Sequence, residues 1–328
     1  MGLFLESEKV QQAKFKASSP TFSDGARANG LYKTKLRPHC LPREYSAENL
    51  FPGNRQKAMD YFSSYQIKWH DAIDRHPSNH LCDSQVCCVN FLFPFADQPD
   101  ALAEMLRPHF PTLHTMLPIE NGQYVAFEWI GQENYLGEKI SRNGKRSRGA
   151  NCTSADAAVM FQHTNDQRQI VLIEWKYTES YSPSSLKFAK SGTDRTHIYA
   201  HLFARDDCPI NKTLLPHFDA LFYEPFYQLM RQQFLAHEME RARELGADVV
   251  SVLHIAPAHN TDFHKVTSRG LETVGKTAMD VWRNLVRPQS RFLSLNTEHL
   301  FGPLFTSQPP ELQEWLVYMG LRYRWVQK

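Results

Sequence analysis

The chain has 328 residues, 42% hydrophobic and 22% charged, with a formal net charge of +2. That balance belongs to a globular protein of one large domain or two modest ones, and near-neutrality excludes a surface that is basic throughout, so any phosphate-binding patch has to be local. No stretch is apolar over membrane length, and Glu6 and Glu8 interrupt the place where an export signal would carry its apolar core, so a cytoplasmic location with no membrane partner is expected.

Residues 1–55 are polar, with scattered Pro, Gly and Ser, and read as an irregular arm with a short helix near Ser7–Phe15. From Ala58 to Asp74, Met59, Phe62, Tyr65 and Trp69 recur at helical spacing, which predicts a helix with its aromatics in the core. Ser84 is placed to cap the next helix, through QVCCVNFLF to Pro94. His80, Cys82, Cys87 and Cys88 crowd together here, either as a zinc site or as buried thiols. Adjacent Cys87 and Cys88 would point apart on a helix, which favours the thiols. The six cysteines, with Cys40, Cys152 and Cys208, form no C-x-x-C pair and fit reduced thiols rather than a disulfide framework. Asp100–Arg107 predicts a short helix between Pro99 and Pro108.

Gln123–Ile130 reads as a strand, with Val125, Phe127 and Trp129 on one face and Ala126, Glu128 and Ile130 on the other. The next segment, GQENYLGEKISRNGKRSRGAN, sets Arg142, Lys145, Arg146 and Arg148 among glycines. Such a loop can approach phosphates closely, or it can be a solvated surface loop. Ser154–Gln162 and Ile170–Tyr177 are short apolar runs either side of the polar turn HTNDQRQ, hence a hairpin. Alternation puts Glu174 and Lys176 on one face of its second strand and Ile173, Trp175 and Tyr177 on the other, with Asp156 close by on the first. A carboxylate and an ammonium inside an apolar run are costly unless they pair or hold a metal. The plainer alternative is a Glu–Lys pair at a sheet end with Asp156 capping a turn.

Ser182–Ile210 is mixed and brings Lys187, Lys190 and Arg195 close behind that strand. Pro225 opens a long helix through Leu245, with Phe226, Met230 and Phe234 on its buried face and Gly246 as its stop. Gln228 and Arg231, near its start, face either a substrate or solvent. Asp248–Ile255 is a buried strand ended by Pro257, and strand, helix, strand in this order imply a crossover and a mixed sheet. Helices over Thr273–Val286 and Glu311–Met319 close the chain. No repeat or linker marks a boundary, so one decorated domain is expected over 1–328: an arm and helix over 1–80, a core over 81–260 and a helical extension over 261–328.

The order helix, strand with Glu128, strand with Asp156, strand with Glu174-Trp175-Lys176, long helix, strand resembles the PD-(D/E)XK nuclease superfamily. The likeness in architecture runs from about Gln85 to Ala256, and its diagnostic residues lie within Thr153–Ser180. The blocks GANCTSADA and EWKYTES are similar to those of bacterial restriction-endonuclease-like proteins, with Ala155 where the family has a proline. The resemblance implies an α/β (α+β) fold: a restriction-endonuclease-like αβββαβ core whose mixed sheet is flanked by helices. It implies a metal-dependent endonuclease acting on DNA phosphodiester bonds in restriction or defence. Asp156, Glu174 and the Trp175 carbonyl would hold Mg2+, replaceable by Mn2+, which suits oxygen ligands and activates water. Lys176 would orient that water or stabilise the transition state. A further acid is Glu138 or Glu128, with Glu138 ranked first because it precedes the basic loop. Arg146, Arg148, Lys187, Lys190, Gln228 and Arg231 would meet the DNA backbone, and a homodimer is compatible with this. The same fold with a spent site would instead be a nucleic-acid-binding or assembly protein, against which Asp156, Glu174 and Lys176 standing together argue.

Overall fold

The computed structural model describes residues 2–71, 75–138, 144–150 and 152–327. The arm opens on a helix, α1 (Leu3–Ser18), longer than the sequence predicts. Its buried face carries Glu8, Gln12 and Lys16 as well as Phe15, so apolar periodicity could not reveal it. Those polar groups dock the arm: Gln12 Nε2 donates to Tyr177 Oη at 3.1 Å, and Lys16 Nζ donates to the carbonyls of Ala28 and Cys40 at 2.7 and 2.8 Å. A small antiparallel ribbon follows, β1 (Gly30–Tyr32) with β2 (Lys35–Arg37).

Helix α2 (Arg55–Ser64) stops well short of Asp74, because Gln66 turns into the left-handed region (φ 53°). Trp69 lies beyond it and still stacks on Phe62 with ring centroids 3.7 Å apart, so the predicted aromatics reach the core by a route that is only partly helical. Helix α3 (Ser84–Leu92) is capped by Asp83, whose side chain accepts from Val86 N, and not by Ser84. After α4 (Pro99–Leu106) comes a strand the sequence did not reveal, β3 (Leu113–Leu117).

The core then runs β4 (Val125–Trp129), β5 (Ala155–His163), β6 (Arg168–Trp175), α5 (Thr196–Ala204), α6 (Phe226–Ala242) and β7 (Val249–Ala256). Phe226, Met230 and Phe234 are buried along α6 as expected, but the helix ends at Arg243 (φ 53°), ahead of Gly246. Helix α7 (Ala278–Leu285) starts from a capping box made by Thr277 and Asp280, later than Thr273. Strand β8 (Phe292–Asn296), α8 (Thr297–Ser307) and α9 (Gln313–Arg322) complete the chain; β8 and α8 were not anticipated.

The hairpin β5–β6 is antiparallel, with Ala157 opposite Ile173 and Val159 opposite Val171. The far edge of β5 is shared by β4, along residues 155–159, and β3, along 160–163. On the other side β6, β7 and β8 are parallel neighbours. The result is the expected mixed sheet with helices on both faces. Phe127, Ala157, Val159, Ile173, Trp175 and Leu253 pack with α3, α4, α8 and α9; Ala126, Ala158, Leu172, Val250 and Val252 pack with α5, α6 and α7. Phe15, Tyr323 and Trp325 belong to the first of these layers, so both ends of the chain are built into the core. Among the described residues no helix is long and apolar enough to cross a membrane.

Candidate active site

Strand register places the polar residues before any side chain is considered. Phe127 lies opposite Ala157 and Trp129 opposite Ala155, which sets Glu128 beside Asp156. The β5–β6 register extended one step sets Asp156 beside Glu174. Glu174 pairs with His254, and His254 with Ser294. Five neighbouring strands thus contribute Glu128, Asp156, Glu174, His254 and Ser294 to one row, in a sheet whose adjoining rows are apolar. Glu128 interrupts its ladder with φ 49°, a conformation that disfavours every residue but glycine and that tends to be retained at functional sites. The nearby turn is built to fit it: Gly149 has φ +72°, and a Cβ there would come within 2.6 Å of the Lys68 carbonyl oxygen.

Side chains from three directions hold the row. Lys176 Nζ lies 2.5 Å from Glu174 Oε1, both groups almost wholly buried. From α6, Gln232 Nε2 donates to Glu174 Oε2 at 2.9 Å and to the Ser154 carbonyl at 2.5 Å. The Trp175 main-chain N–H donates to Asp156 Oδ2 at 2.7 Å. From α3, Gln85 Nε2 donates to Glu128 Oε1 at 2.5 Å, and Ser154 Oγ donates to Glu128 Oε2 at 2.6 Å. His254 Nδ1 sits 3.1 Å from Ser294 Oγ, while its buried Nε2 has no protein partner. Sequence reasoning did not single out Gln232, Ser154 or His254. The one available signal was Gln85 in the otherwise mostly apolar α3; Gln232, set between Arg231 and Gln233, carried none.

The electrostatics of the row are those of too many acids for one base. Burial, then the charge of Glu174, holds the Asp156 carboxyl well above the usual carboxylate range. Burial raises Glu128 in the same direction, with Glu174 adding to it. Burial alone would lower Lys176, but Glu174 beside it keeps the ammonium well above its ordinary value. Burial and the Lys176 charge depress His254 to about 3, so its imidazole is neutral at pH 7. Carboxyls pushed up by burial and by one another have the chemistry a hard divalent cation would relieve; as they stand, Glu128, Asp156 and Glu174 do not bring one oxygen each within 4.8 Å of one another.

These raised pKa values give the metal-free protein a defined pH response. The native state keeps protons on Asp156 and Glu128 that the unfolded chain releases above the ordinary carboxylate range. More protons bound in the native state means stability falls as pH rises through that interval. With metal chelated, the melting temperature should therefore decline with pH from the ordinary carboxylate pKa upwards, and Asp156→Asn should flatten the decline. An unchanged profile in Asp156→Asn would show that Asp156 is not held protonated.

The sheet brings Glu128, not Glu138, to Asp156 and Glu174. Glu138 accepts from Thr153 N at 2.6 Å, Thr153 Oγ1 at 2.5 Å and Tyr199 Oη at 2.8 Å, fixing the turn into β5. Proximity to the basic loop in sequence ranks it first; in the fold, strand pairing sets Glu128 beside Asp156 instead. Within that loop Arg142 lies outside the described residues. Arg146 donates to the carbonyls of Ile130, Gly131, Gln132 and Glu133. Arg148 donates to Glu120 Oε1 at 2.7 Å, to Tyr61 Oη at 2.9 Å and to the Phe127 carbonyl. Both guanidinium groups, expected on a phosphate backbone, are committed to the protein itself. Lys187 pairs with Asp219 at 2.7 Å, and Lys190 is exposed. Gln228 and Arg231 are half-buried on α6, with Arg231 over the Tyr227 ring at 5.0 Å and its buried Nε without a partner.

Residues 9–324 match a family model described as Restriction Endonuclease associating with ARP. No curated protein and no solved structure matched the chain.

Proposed function

We propose a nuclease function on one premise: the chain belongs to the family described as Restriction Endonuclease associating with ARP. On our reading it is an endonuclease that hydrolyses DNA phosphodiester bonds with a divalent cation, in the cytoplasm and in a restriction or defence setting. The observation that carries this is the row of Glu128, Asp156 and Glu174 with the Lys176 ammonium 2.5 Å from Glu174.

Asp156 and Glu174, with the main-chain oxygen of Trp175, would hold Mg2+ or Mn2+, and Glu128 would complete the acid set. When bound, such an ion neutralises charge on the phosphoryl group and lowers the pKa of a coordinated water. Gln232 and Gln85 fix the carboxylates Glu174 and Glu128 from behind, so that those acids need little reorganisation. Lys176 stays protonated in its buried setting and directs its charge at the attacking water or a phosphoryl oxygen. Arg231, Gln228, Lys187 and Lys190 are the groups we assign to the DNA backbone, in place of Arg146 and Arg148. The family's description adds association with ARP, and on this reading the nuclease works beside that partner.

The close Glu174–Lys176 pair also supports a second reading, a nuclease fold whose acids and lysine only stabilise one another and which serves in assembly. Plasmid nicking separates the two. Supercoiled DNA should be nicked with Mg2+ or Mn2+ and left intact with Ca2+, with EDTA, or by Asp156→Ala. Nicking that survives EDTA or the Asp156 substitution would overturn the metal-dependent reading; inertness of the folded, Mn2+-loaded protein on duplex and single-stranded DNA would favour the second.

A further inference from the structure

We propose that His39, Cys40 and His80 form a transition-metal site of the zinc class that fastens the N-terminal arm to the body of the protein. One ligand atom from each of the three lies within 4.8 Å of the other two. His39 and Cys40 are buried and His80 is half-buried. This trio has no residue in common with the acid row, so it stands whether or not the chain is a nuclease.

The backbone holds the trio in place. Cys40 and His80 face each other across an isolated antiparallel bridge. Leu41 N donates to the Asn79 carbonyl at 2.9 Å and Leu81 N to the His39 carbonyl at 3.1 Å, so each segment carries the other in register. Two stretches about forty residues apart in sequence thus present their donors side by side, tied by a paired backbone bridge, which is what a preorganised metal site needs. The clustering of His80 with Cys82, Cys87 and Cys88 in sequence resolves differently in space. Cys87 and Cys88 turn into the apolar core, and His80 meets His39 and Cys40 instead.

The donor chemistry selects the ion. Two imidazoles and a thiol are borderline-soft ligands, suited to zinc and its neighbours and unsuited to magnesium or calcium. Burial depresses His39 to about 4 and His80 to about 3, so both rings are neutral and keep a lone pair at pH 7. Burial pushes the Cys40 thiol up to about 12, so its thiolate would form on metal binding, releasing a proton. His80 Nδ1 accepts from Cys82 N at 3.1 Å. Ligation at Nδ1 would replace that contact, and ligation at Nε2 would move the ring proton to Nδ1 and end it, so either mode gives up one neutral hydrogen bond. The charges of Lys9, Lys16 and Arg37 oppose a dication here. The Lys16 ammonium is held by two carbonyls, and Asp71, hydrogen-bonded to Tyr32 Oη beside the His80 ring, and Glu6 offset part of the charge of these groups and of Lys33. Cys82 is buried outside the trio, so we assign three protein donors and leave the fourth position to solvent.

Metal analysis of the full chain purified from zinc-supplemented medium without chelator tests this. About one zinc per chain is expected, retained in Asp156→Asn and Cys82→Ser and reduced roughly tenfold or more in Cys40→Ser and His80→Ala. Cobalt substitution should give a thiolate-to-cobalt charge-transfer band in the wild type that Cys40→Ser lacks, a readout that does not depend on nuclease activity. The wild-type protein carries the test even if a variant fails to fold. Wild-type protein without zinc and without the cobalt band would overturn the site, as would zinc held equally by folded Cys40→Ser. Zinc lost from Asp156→Asn but kept by Cys40→Ser would place it on the acid row and also overturn the proposal.

Discussion

Lys176→Ala should lose about 100- to 1000-fold in cleavage rate while still binding Mn2+, whereas Glu174→Ala should lose cleavage and metal binding together. The two side chains form one buried pair, with Lys176 Nζ 2.5 Å from Glu174 Oε1, yet their proposed tasks differ. Glu174 supplies an oxygen to the ion, and Gln232 continues to hold that carboxylate when the lysine is gone. Lys176 supplies a positive charge that no other side chain in the row can replace, because His254 is neutral. Truncating one partner of a buried pair costs about 3–5 kcal/mol by stranding the other charge. Metal-free Lys176→Ala should therefore melt well below the wild type, and Mn2+ should raise its melting temperature by more than it raises that of the wild type, since the ion restores the missing cation. DNA binding in Ca2+ should survive, because most of that affinity comes from phosphate contacts elsewhere. Nicking assays, calorimetry with Mn2+ and melting curves on both variants form the test. Wild-type cleavage by Lys176→Ala would reduce Glu174 and Lys176 to a structural pair.

Arg148→Ala should cost about 3–5 kcal/mol of stability, measured by urea unfolding, and leave the salt dependence of DNA binding unchanged. Its side chain is 10% exposed and that of its partner Glu120 is 12% exposed. The guanidinium also stands over the rings of Tyr61, Tyr65 and Trp129 at 5.8, 5.0 and 5.7 Å, and it bonds the Phe127 carbonyl next to Glu128. Removing it strands Glu120 and loosens the end of β4 that aims Glu128 at the row, so activity should fall with stability. Arg148→Lys should not restore either, since a single ammonium cannot span a carboxylate, a hydroxyl and a carbonyl at once. A stable Arg148→Ala protein whose DNA affinity had lost about one phosphate contact in its salt slope would return this arginine to the DNA interface.

The parts of the molecule legible in the sequence are those governed by local periodicity. Alternation along Ile170–Tyr177 was enough to put Glu174 and Lys176 on one face, and the polar turn HTNDQRQ was enough to fold Asp156 back beside them. The long run from Pro225 showed its inner face through Phe226, Met230 and Phe234, all of which are buried. The order of these elements sufficed for the αβββαβ core, which the structure contains. Helix α1 stayed hidden because its inner face is partly polar, and its groups are satisfied by hydrogen-bond partners as remote as Tyr177 and Arg322.

Sequence alone therefore determined the hairpin, the main helices of the core and the shared face of Glu174 and Lys176, since each follows from the two-residue or 3.6-residue repeat of a single segment, with the polar turn placing Asp156 beside them. Tertiary structure alone decided which further groups stand beside them. Glu128 rather than Glu138 joins the acids because β4 pairs with β5 and carries one residue in the left-handed region. His254 enters the row because β7 lies parallel to β6, and Gln85 and Gln232 reach it from helices on opposite faces of the sheet. Arg146 and Arg148 look like a phosphate-binding loop until their partners at Ile130–Glu133, Glu120 and Tyr61 are seen. Each of these outcomes rests on pairing between segments far apart in the chain, and side-chain spacing within one segment carries no record of which distant strand or helix will lie beside it.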